Sequence, residues 1–286
     1  MLDAIVRELP ATDRGASPEL LDVGFSSVVV AFGISVIRVA RTRQAQEGHE
    51  REMRLLPWLD GRLNIDLAVP HALLAPGPAL PFGAIIQPRL RGRAMTAEDG
   101  RSRDSAQEFG GLLASLHGLD HAAAPKGSIQ YLNAVPYLHR VLRETESCLR
   151  TQLVLDEWTR LTTRSGDAES LLLGQEQVLC HGDAWYGNVL VDDDGHITAL
   201  LDFEDACVAD PALDLAATTY LDPPGPKRLL DAYLGDREPA PSLLVRVEAY
   251  LLLRELAGLA YILRNNINEE LEDGIAKVRA VLNQVP

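Results

Sequence analysis

The sequence predicts an α+β fold with two lobes, a small β-rich lobe followed by a larger, mainly helical lobe. Two β-branched runs early in the chain, Ser27–Ala31 and Ser35–Ala40, are separated by Phe32-Gly33, which is a hairpin signal. After Arg91-Gly92 the apolar residues recur with the period of an α-helix instead. This change of period indicates that a sheet comes first and that helices follow it.

The remainder of the first third contains one helix and one further strand. The charged stretch Gln44–Leu59 carries apolar residues at helical spacing, which predicts a helix. A third apolar run, Phe82–Ile86, predicts a strand, and the segment before it, Ala75–Pro81, is a loop because it is rich in proline and glycine.

The later segments predict amphipathic helices that surround a short hairpin. Apolar residues fall on one helical face in Phe109–Leu116 and in Leu138–Leu149. A further helix follows Ser242, a residue suited to the N-cap position. Between these helices, Val189–Val191 and Ile197–Leu201 read as two strands joined by a tight turn.

The boundary between the lobes is expected near Gln87–Gly92. We therefore predict an N-terminal lobe over residues 1–88 and a C-terminal lobe over residues 89–286. A cleft between two such lobes is where a ligand is expected.

Composition narrows the class of protein. The formal net charge of −14 disfavours nucleic acid and anionic lipid as partners, and it favours cations. The three cysteines, Cys148, Cys180 and Cys207, match no metal-ligand spacing and predict reduced thiols in a cytoplasmic protein. Neither a signal peptide in Met1–Gly15 nor a membrane span is expected, because the apolar stretches are short or interrupted by charge.

The most informative segment runs from Cys180 to Asp205. Asn188 follows Asp183 by five positions across a turn and begins a strand, and Asp202 ends the next strand. A hairpin between them brings Asn188 and Asp202 to the same end of a ribbon. Two oxygen ligands suit Mg²⁺, and phosphoryl transfer also needs a carboxylate that orients the attacking hydroxyl.

This segment resembles the catalytic and metal loops of the aminoglycoside phosphotransferase family, the antibiotic and choline kinases that share the protein-kinase fold. The family pattern is H-G-D, four residues, N, and then an aspartate about a dozen residues later, and the chain matches each position. Asp210–Ala216 resembles the next block of the family, and weaker similarity extends from Asp22 to Leu263. The resemblance implies a two-lobe, protein-kinase-like fold.

The resemblance also implies roles for individual residues. Asp183 resembles the catalytic aspartate, and His181 resembles the histidine that braces the catalytic loop. Asn188 and Asp202 resemble the two Mg²⁺ ligands, and Asp214 resembles a buried structural aspartate.

Nucleotide-binding residues follow from the same resemblance. Glu52 resembles the helix glutamate that pairs with the phosphate-binding cation, and the Pro88 carbonyl and Leu90 N–H resemble the groups that hold the purine edge. Many relatives place a lysine on the third strand, but this chain has Arg38 there. Arginine is always charged and can bind phosphate oxygens with two N–H groups, so we interpret it as a substitute cation.

The expected phosphate loop contains one glycine rather than three. Gly24, Ser26 and Ser27 offer backbone N–H groups and hydroxyls that can approach phosphates.

Four residues near the metal aspartate are candidates for binding the acceptor. Glu204 and Asp205 either bind ammonium groups or face water, and Trp185 and Tyr186 either stack on a substrate ring or pack internally. His117 ends an apolar helix stripe and is expected to be structural.

The predicted function is Mg²⁺-dependent transfer of the γ-phosphoryl group of ATP or GTP to a hydroxyl of a small cationic acceptor. The first choice of acceptor is an antibiotic, either an aminoglycoside or a tuberactinomycin-type peptide, so that transfer gives resistance. One alternative is a metabolic kinase for choline, homoserine or a sugar. Another is a non-catalytic, pseudokinase-like module that binds nucleotide. The preference for ATP or GTP and the oligomeric state stay open.

Overall fold

The N-terminal region forms one antiparallel sheet. The computed structural model describes residues 9–24 and 26–284. The sheet has the strand order β1-β2-β3-β5-β4. Its strands are β1 (Glu19–Val23), β2 (Ser27–Phe32), β3 (Ser35–Ala40), β4 (Ala72–Leu74) and β5 (Ala84–Pro88). A sheet region followed by a mainly helical region confirms the predicted α+β fold class.

Gly33 and Gly83 have a positive φ, and each sets a turn of the chain at the end of a strand. The β2–β3 hairpin is present as predicted, with Phe32 paired to Ser35 and Gly33 at a φ of 59°. The strand expected over Phe82–Ile86 instead begins at Ala84. Gly83 has a φ of 73°, and a Cβ there would lie 2.2 Å from the Leu74 carbonyl oxygen, so the chain turns at this point and only then enters the sheet.

Helix α1 (Arg43–Leu59) connects the sheet to the rest of the molecule. The Thr42 hydroxyl caps it by accepting a 3.2 Å hydrogen bond from the Ala45 N–H. Its buried face carries Leu55 and Leu59, which belong to the main core, and also the fully buried Glu52. A carboxylate in such a place requires a charged partner.

The C-terminal region is built mainly from helices. They are α2 (Arg103–His117), α3 (Ala134–Gln152), α4 (Leu155–Leu171), α5 (Ala212–Ala217), α6 (Gly225–Leu234), α7 (Leu243–Asn265) and α8 (Leu271–Asn283). The three predicted helices correspond to α2, α3 and α7, whereas α4, α5, α6 and α8 were not predicted. Within the described part of the chain, no helix is both long enough and apolar enough to cross a membrane.

Two small sheets frame the predicted hairpin. Their strand orders are β10-β9-β6 and β7-β11-β8. The strands are β6 (Arg93–Ala94), β7 (Gln130–Tyr131), β8 (Val178–Cys180), β9 (Val189–Val191), β10 (Ile197–Leu200) and β11 (Cys207–Ala209). The β9–β10 hairpin was predicted, although its second strand ends one residue earlier. The second sheet was not predicted, and it fixes the chain immediately before and after the hairpin.

A buried ion pair joins this second sheet to α7. Arg246 Nε donates to Asp210 Oδ2 at 2.7 Å, and both side chains are almost completely buried. Asp210 Oδ1 also accepts a 2.9 Å hydrogen bond from the Ala212 N–H, which starts α5. Ser242 lies at the predicted N-cap of α7, but its hydroxyl accepts from Arg246 Nη1 at 2.6 Å rather than from a backbone N–H.

Removing Arg246 should destabilise the fold strongly. Arg246→Met leaves the Asp210 carboxylate buried without its cation, and we expect the free energy of unfolding in urea to fall by about 3–5 kcal/mol. Lys227→Met removes an exposed pair with Asp231 and serves as the control, with an expected change below about 1 kcal/mol. Equal stability of the two variants would contradict the importance of the buried pair.

Candidate active site

The loop between β8 and β9 presents Asp183. Gly182 has a φ of 89°, and a Cβ there would lie 2.2 Å from the Asp205 carbonyl oxygen, so the loop requires glycine. Asn188 Nδ2 donates to both the carbonyl oxygen of Asp183, at 2.9 Å, and Asp183 Oδ2, at 3.1 Å. The five-residue spacing thus closes a small loop that holds the Asp183 carboxylate.

His181 braces this loop from inside. Its Nδ1 accepts from the Asp183 N–H at 3.2 Å, and its Nε2 lies 2.8 Å from the Leu201 carbonyl oxygen. Because one neighbour is a donor and the other an acceptor, the ring is the tautomer with its proton on Nε2. The ring also packs edge-on against Phe203 at a centroid distance of 4.5 Å.

Asp214 anchors the base of the loop. This fully buried carboxylate accepts hydrogen bonds from the N–H groups of His181, at 2.7 Å, and Gly182, at 2.9 Å. His117 Nε2 lies 3.0 Å from the same carboxylate, and its Nδ1 lies 3.0 Å from the Tyr233 hydroxyl. Burial alone would raise the pKa of Asp214, but the hydrogen bond and charge of His117, with the other donors, leave that pKa below its usual value. The loop therefore rests on a charged, fully paired scaffold.

Asn188 and Asp202 lie at the same end of the β9–β10 ribbon. The Leu201 N–H donates to the Asn188 carbonyl oxygen at 2.8 Å, which sets the two positions side by side. Asp202 has a left-handed backbone, with a φ of 66°, which is uncommon for a residue other than glycine. Since the Asn188 amide nitrogen is committed to Asp183, its amide oxygen is the atom left for a ligand. Together with the Asp202 carboxylate, these oxygen donors suit a hard cation such as Mg²⁺.

Arg38 is the centre of a buried ion cluster. Its Nη1 donates to both carboxylate oxygens of Glu52, at 2.9 and 2.8 Å. Its Nη2 donates to Asp202 Oδ1 at 2.5 Å and to Glu204 Oε2 at 3.1 Å. Burial lowers the pKa of Arg38, but the charges of Asp202, Glu52 and Glu204 outweigh burial and hold that pKa above its usual value. The guanidinium is therefore a permanent cation beside the Asp202 oxygens.

Backbone contacts tie α1 to the segment after β10. Glu52 Oε1 accepts a 2.9 Å hydrogen bond from the Phe203 N–H, and Arg51 Nη2 donates to the Glu204 carbonyl oxygen at 2.8 Å. Gly48 allows this approach, since a Cβ there would lie 2.7 Å from the Cβ of Glu204. Glu204 was a candidate either for binding ammonium groups or for facing water, whereas its carboxylate faces Arg38.

The expected phosphate loop is a tight turn between β1 and β2. The Gly24 N–H donates to the Ser27 carbonyl oxygen at 3.0 Å, and the Arg41 N–H donates to the Ser26 carbonyl oxygen at 2.8 Å. Phe25 lies outside the described residues. The Ser27 hydroxyl is buried and lies 3.2 Å from His49 Nε2, a partner that the sequence did not reveal. Burial and the nearby Arg38 charge lower the pKa of His49 to about 3, so this imidazole is neutral.

Pro88 and Leu90 lie where the sheet ends. Pro88 is the last residue of β5 and pairs with Ser35, and the following Arg89 N–H donates to the Ile34 carbonyl oxygen at 2.7 Å. The neighbouring Gln87 is buried with no hydrogen-bond partner for its Oε1 within the described residues. Pro88 thus ends β5, and Leu90 follows two residues later; both residues are partly exposed.

The remaining candidates are Asp205 and the aromatic pair of Trp185 and Tyr186. Burial, and then the charges of Asp183 and Asp202, raise the pKa of Asp205 to about 6. The rings of Trp185 and Tyr186 lie 5.0 Å apart and are tilted by 51°. Trp185 also covers Gly187, where a Cβ would lie 2.4 Å from the indole. Asp205 and the aromatic pair thus flank Asp183, whereas Glu204 does not.

Arg254 is a site residue that the sequence did not reveal. From α7 its Nη1 donates to Asp183 Oδ1 at 2.5 Å, and its guanidinium lies 5.6 Å from the ring centroid of Tyr220. The Tyr220 hydroxyl donates to the adjacent Glu255. The available signal was the charged pair Arg254-Glu255 within the otherwise apolar run Leu251–Leu256.

The two-region α+β fold and the Asp183 loop between β8 and β9 are features of one family of enzymes. Residues 19–250 match the sequence model of the phosphotransferase enzyme family, APH. The chain belongs to this family and is a phosphotransferase.

Solved structures share its fold. The complex of APH(2")-IIia with GDP and kanamycin superposes with a TM-score of 0.82 at 17% identity, covering 93% of this chain and 92% of that one. Macrolide 2'-phosphotransferase MphH from Brachybacterium faecium gives a TM-score of 0.72 at 23% identity, covering 99% of each chain. A choline/ethanolamine kinase family protein from Mesorhizobium loti gives 0.66 at 19% identity, covering 99% of this chain and 96% of that one.

One curated relative is the uncharacterized protein YcbJ of Bacillus subtilis. It is 27% identical over 117 residues. The match spans 40% of this chain and 37% of the length of that relative.

The buried carboxyl of Glu255 makes the stability of the fold depend on pH. Burial, and then the charge of Asp273, raise the pKa of Glu255 to about 7, against the opposing effect of Lys277. The stabilisation that comes from the protonated form is complete below about pH 4.5 and is lost as pH rises through 7. We expect Glu255→Gln to be more stable than wild type by about 1–2 kcal/mol at pH 8, and by much less at pH 5.

Chemical denaturation of both proteins at the two pH values measures this difference. Glu248→Gln removes an exposed carboxylate from the same helix and controls for the loss of one charge. A Glu255→Gln effect of the same size at both pH values would contradict the raised pKa.

Proposed function

We propose that this phosphotransferase moves the γ-phosphoryl group of ATP or GTP, with Mg²⁺, to a hydroxyl of a small cationic acceptor. The acceptor we propose is an antibiotic, an aminoglycoside or a tuberactinomycin-type peptide, so that transfer gives resistance. The observation that supports this most is the Asp183 carboxylate, held by Asn188 beside the Asp202 oxygens and the Arg38 cation.

The nucleotide would lie between the sheet and the β9–β10 ribbon. Arg38 would supply the cation for the phosphates, and Ser26, in the turn that follows Gly24, would supply a backbone N–H and a hydroxyl. The Pro88 carbonyl and the Leu90 N–H would hold the purine edge. Relatives with this fold have been solved with GDP bound, which supports a nucleotide in this cleft.

Asn188 and Asp202 would hold Mg²⁺. When bound, the ion neutralises phosphate oxygens as charge develops on them. The protein's own side chains position the reactants and compensate their charge.

In the proposed step, the acceptor hydroxyl oxygen attacks the γ-phosphorus of the nucleotide. The bond between that phosphorus and the bridging oxygen breaks, and the nucleoside diphosphate leaves with the electron pair. The hydroxyl proton passes to the Asp183 carboxylate and then to solvent. His181 and Asp214 hold the loop, so that the carboxylate need not reorganise during transfer.

Charge supports a cationic acceptor. The chain carries a net charge of −14, and Asp205 lies close enough to Asp183 for the two charges to interact. Such a site attracts ammonium groups over a distance and loses that attraction as salt rises. APH(2")-IIia, which shares the fold, has been solved with kanamycin.

A second candidate acceptor is choline or a similar metabolite. The tilted pair of Trp185 and Tyr186 beside Asp183 offers aromatic faces that suit a quaternary ammonium group. A choline/ethanolamine kinase family protein also shares the fold.

Mass spectrometry of acceptor panels tests this proposal. The protein is incubated with Mg²⁺, ATP or GTP, and kanamycin, viomycin, a macrolide, choline, homoserine or glucose. We expect a product heavier by one phosphoryl group with a cationic antibiotic, and none after EDTA treatment. Asp183→Asn should lower turnover by at least about 100-fold, because the hydroxyl loses its base and its orientation.

Nucleotide binding distinguishes a catalytic role from a binding role. Asp183→Asn should bind Mg²⁺–nucleotide about as tightly as wild type in calorimetry. Equal losses of binding and turnover would contradict the role of Asp183, and phosphorylation of choline alone would favour the second candidate.

A further inference from the structure

The contact between Arg254 and Asp183 is the least expected feature of the site. Arg254 lies on α7, and Asp183 lies in the loop before β9, 71 positions earlier in the chain. The Nη1–Oδ1 distance is 2.5 Å. The Arg254 guanidinium faces the ring of Tyr220, and the Tyr220 hydroxyl donates to Glu255. The ring is therefore fixed in place and orients the guanidinium towards Asp183.

Stability does not account for this pair. The Arg254 and Asp183 side chains retain 28% and 32% of their exposure, and ion pairs with this much access to water add little to stability. An arginine within the apolar segment Leu251–Leu256 also interrupts a face that would otherwise pack against the core. The contact therefore acts on Asp183 rather than on the stability of the fold.

The geometry holds Asp183 from two sides. Arg254 Nη1 donates to Oδ1, and Asn188 Nδ2 donates to Oδ2. Rotation of the carboxylate would break one of these bonds. Each carboxylate oxygen can accept more than one hydrogen bond, so a hydroxyl can still reach Asp183 while both donors stay in place.

The negative charge around Asp183 also calls for a nearby cation. Asp183, Asp202 and Asp205 interact closely enough that the first two, after burial, raise the pKa of Asp205. Arg38 pairs with Glu52, Asp202 and Glu204 rather than with Asp183. Arg254 brings a separate positive charge to Asp183, where a triphosphate would add further negative charge.

We propose that Arg254 is a positioning residue for phosphoryl transfer, which fixes the Asp183 carboxylate and compensates its charge while the triphosphate is bound. This inference rests on the proposed function. Under this proposal, Arg254 on α7 affects the rate of phosphoryl transfer. Nucleotide binding depends instead on residues of the sheet.

Hydrolysis of ATP and GTP without an added acceptor tests the proposal on the full chain. Water takes the place of the acceptor: its oxygen attacks the γ-phosphorus, the nucleoside diphosphate leaves, and the proton passes to Asp183. Arg254→Ala should lower kcat by about 10- to 100-fold and leave KM for nucleotide within about threefold, because only the orientation of Asp183 is lost. Guanidinium at millimolar concentration should restore part of kcat, and Arg254→Lys should keep more kcat than Arg254→Ala.

Arg264→Ala is the matched control, since Arg264 lies on the same helix and pairs with Glu144 on the surface. It should leave kcat unchanged. Wild-type kcat in Arg254→Ala, or a loss that guanidinium leaves unaltered, overturns the proposal. If Arg254→Ala does not fold, Arg254→Lys decides, and a folded lysine variant with altered KM but unchanged kcat also overturns it.

A wild-type protein that hydrolyses neither nucleotide and also phosphorylates no acceptor of the panel has a different meaning. It overturns the proposed function, and with it this inference, whereas active wild type with an unaffected Arg254→Ala overturns the inference alone.

Discussion

The buried guanidinium of Arg38 is the contact on which the arrangement of the site depends. It lies on β3 and reaches Glu52 on α1 and Asp202 and Glu204 after β10, so one side chain joins three elements that are distant in sequence. Three carboxylates around one arginine leave an excess of negative charge. Burial, and then the charge of Asp202, accordingly raise the pKa of Glu204 well above its usual value. A divalent cation at Asp202 would relieve this excess, as the proposed function requires.

A second, independent anchor lies on the opposite side of the loop. Asp214 receives two backbone N–H groups and His117, and it fixes where the chain leaves β8. The loop that carries Asp183 is thus held by Asp214, while Asp202 is held by Arg38. Because each anchor is a buried, hydrogen-bonded charge, Asp183 and Asp202 can keep part of their exposure to water without losing their positions.

Local spacing explains which parts were predictable. The fold class followed from the change of hydrophobic period. Asn188 could be placed near Asp183 because only five positions separate them, and near Asp202 because one hairpin joins them. The contact between Arg38 and Glu52 followed from resemblance, and their functional roles stay predictions. Arg254 could not be inferred, because its contact with Asp183 spans 71 residues and depends on the packing of α7. The strands β7 and β11 were missed because they are too short to carry a period, and His49 because buried histidines have no sequence signature.

Nucleotide binding by substitutions at Arg38 tests the central claim most directly. Calorimetry with Mg²⁺–ATP and Mg²⁺–GTP compares wild type with Arg38→Lys and Arg38→Gln, after circular dichroism has shown that each is folded. We predict that Arg38→Lys binds within about tenfold of wild type, since the charge is kept, and that Arg38→Gln loses at least about 100-fold, since the phosphates lose a charged donor and the carboxylates lose their cation. A folded Arg38→Gln with wild-type affinity would contradict the account.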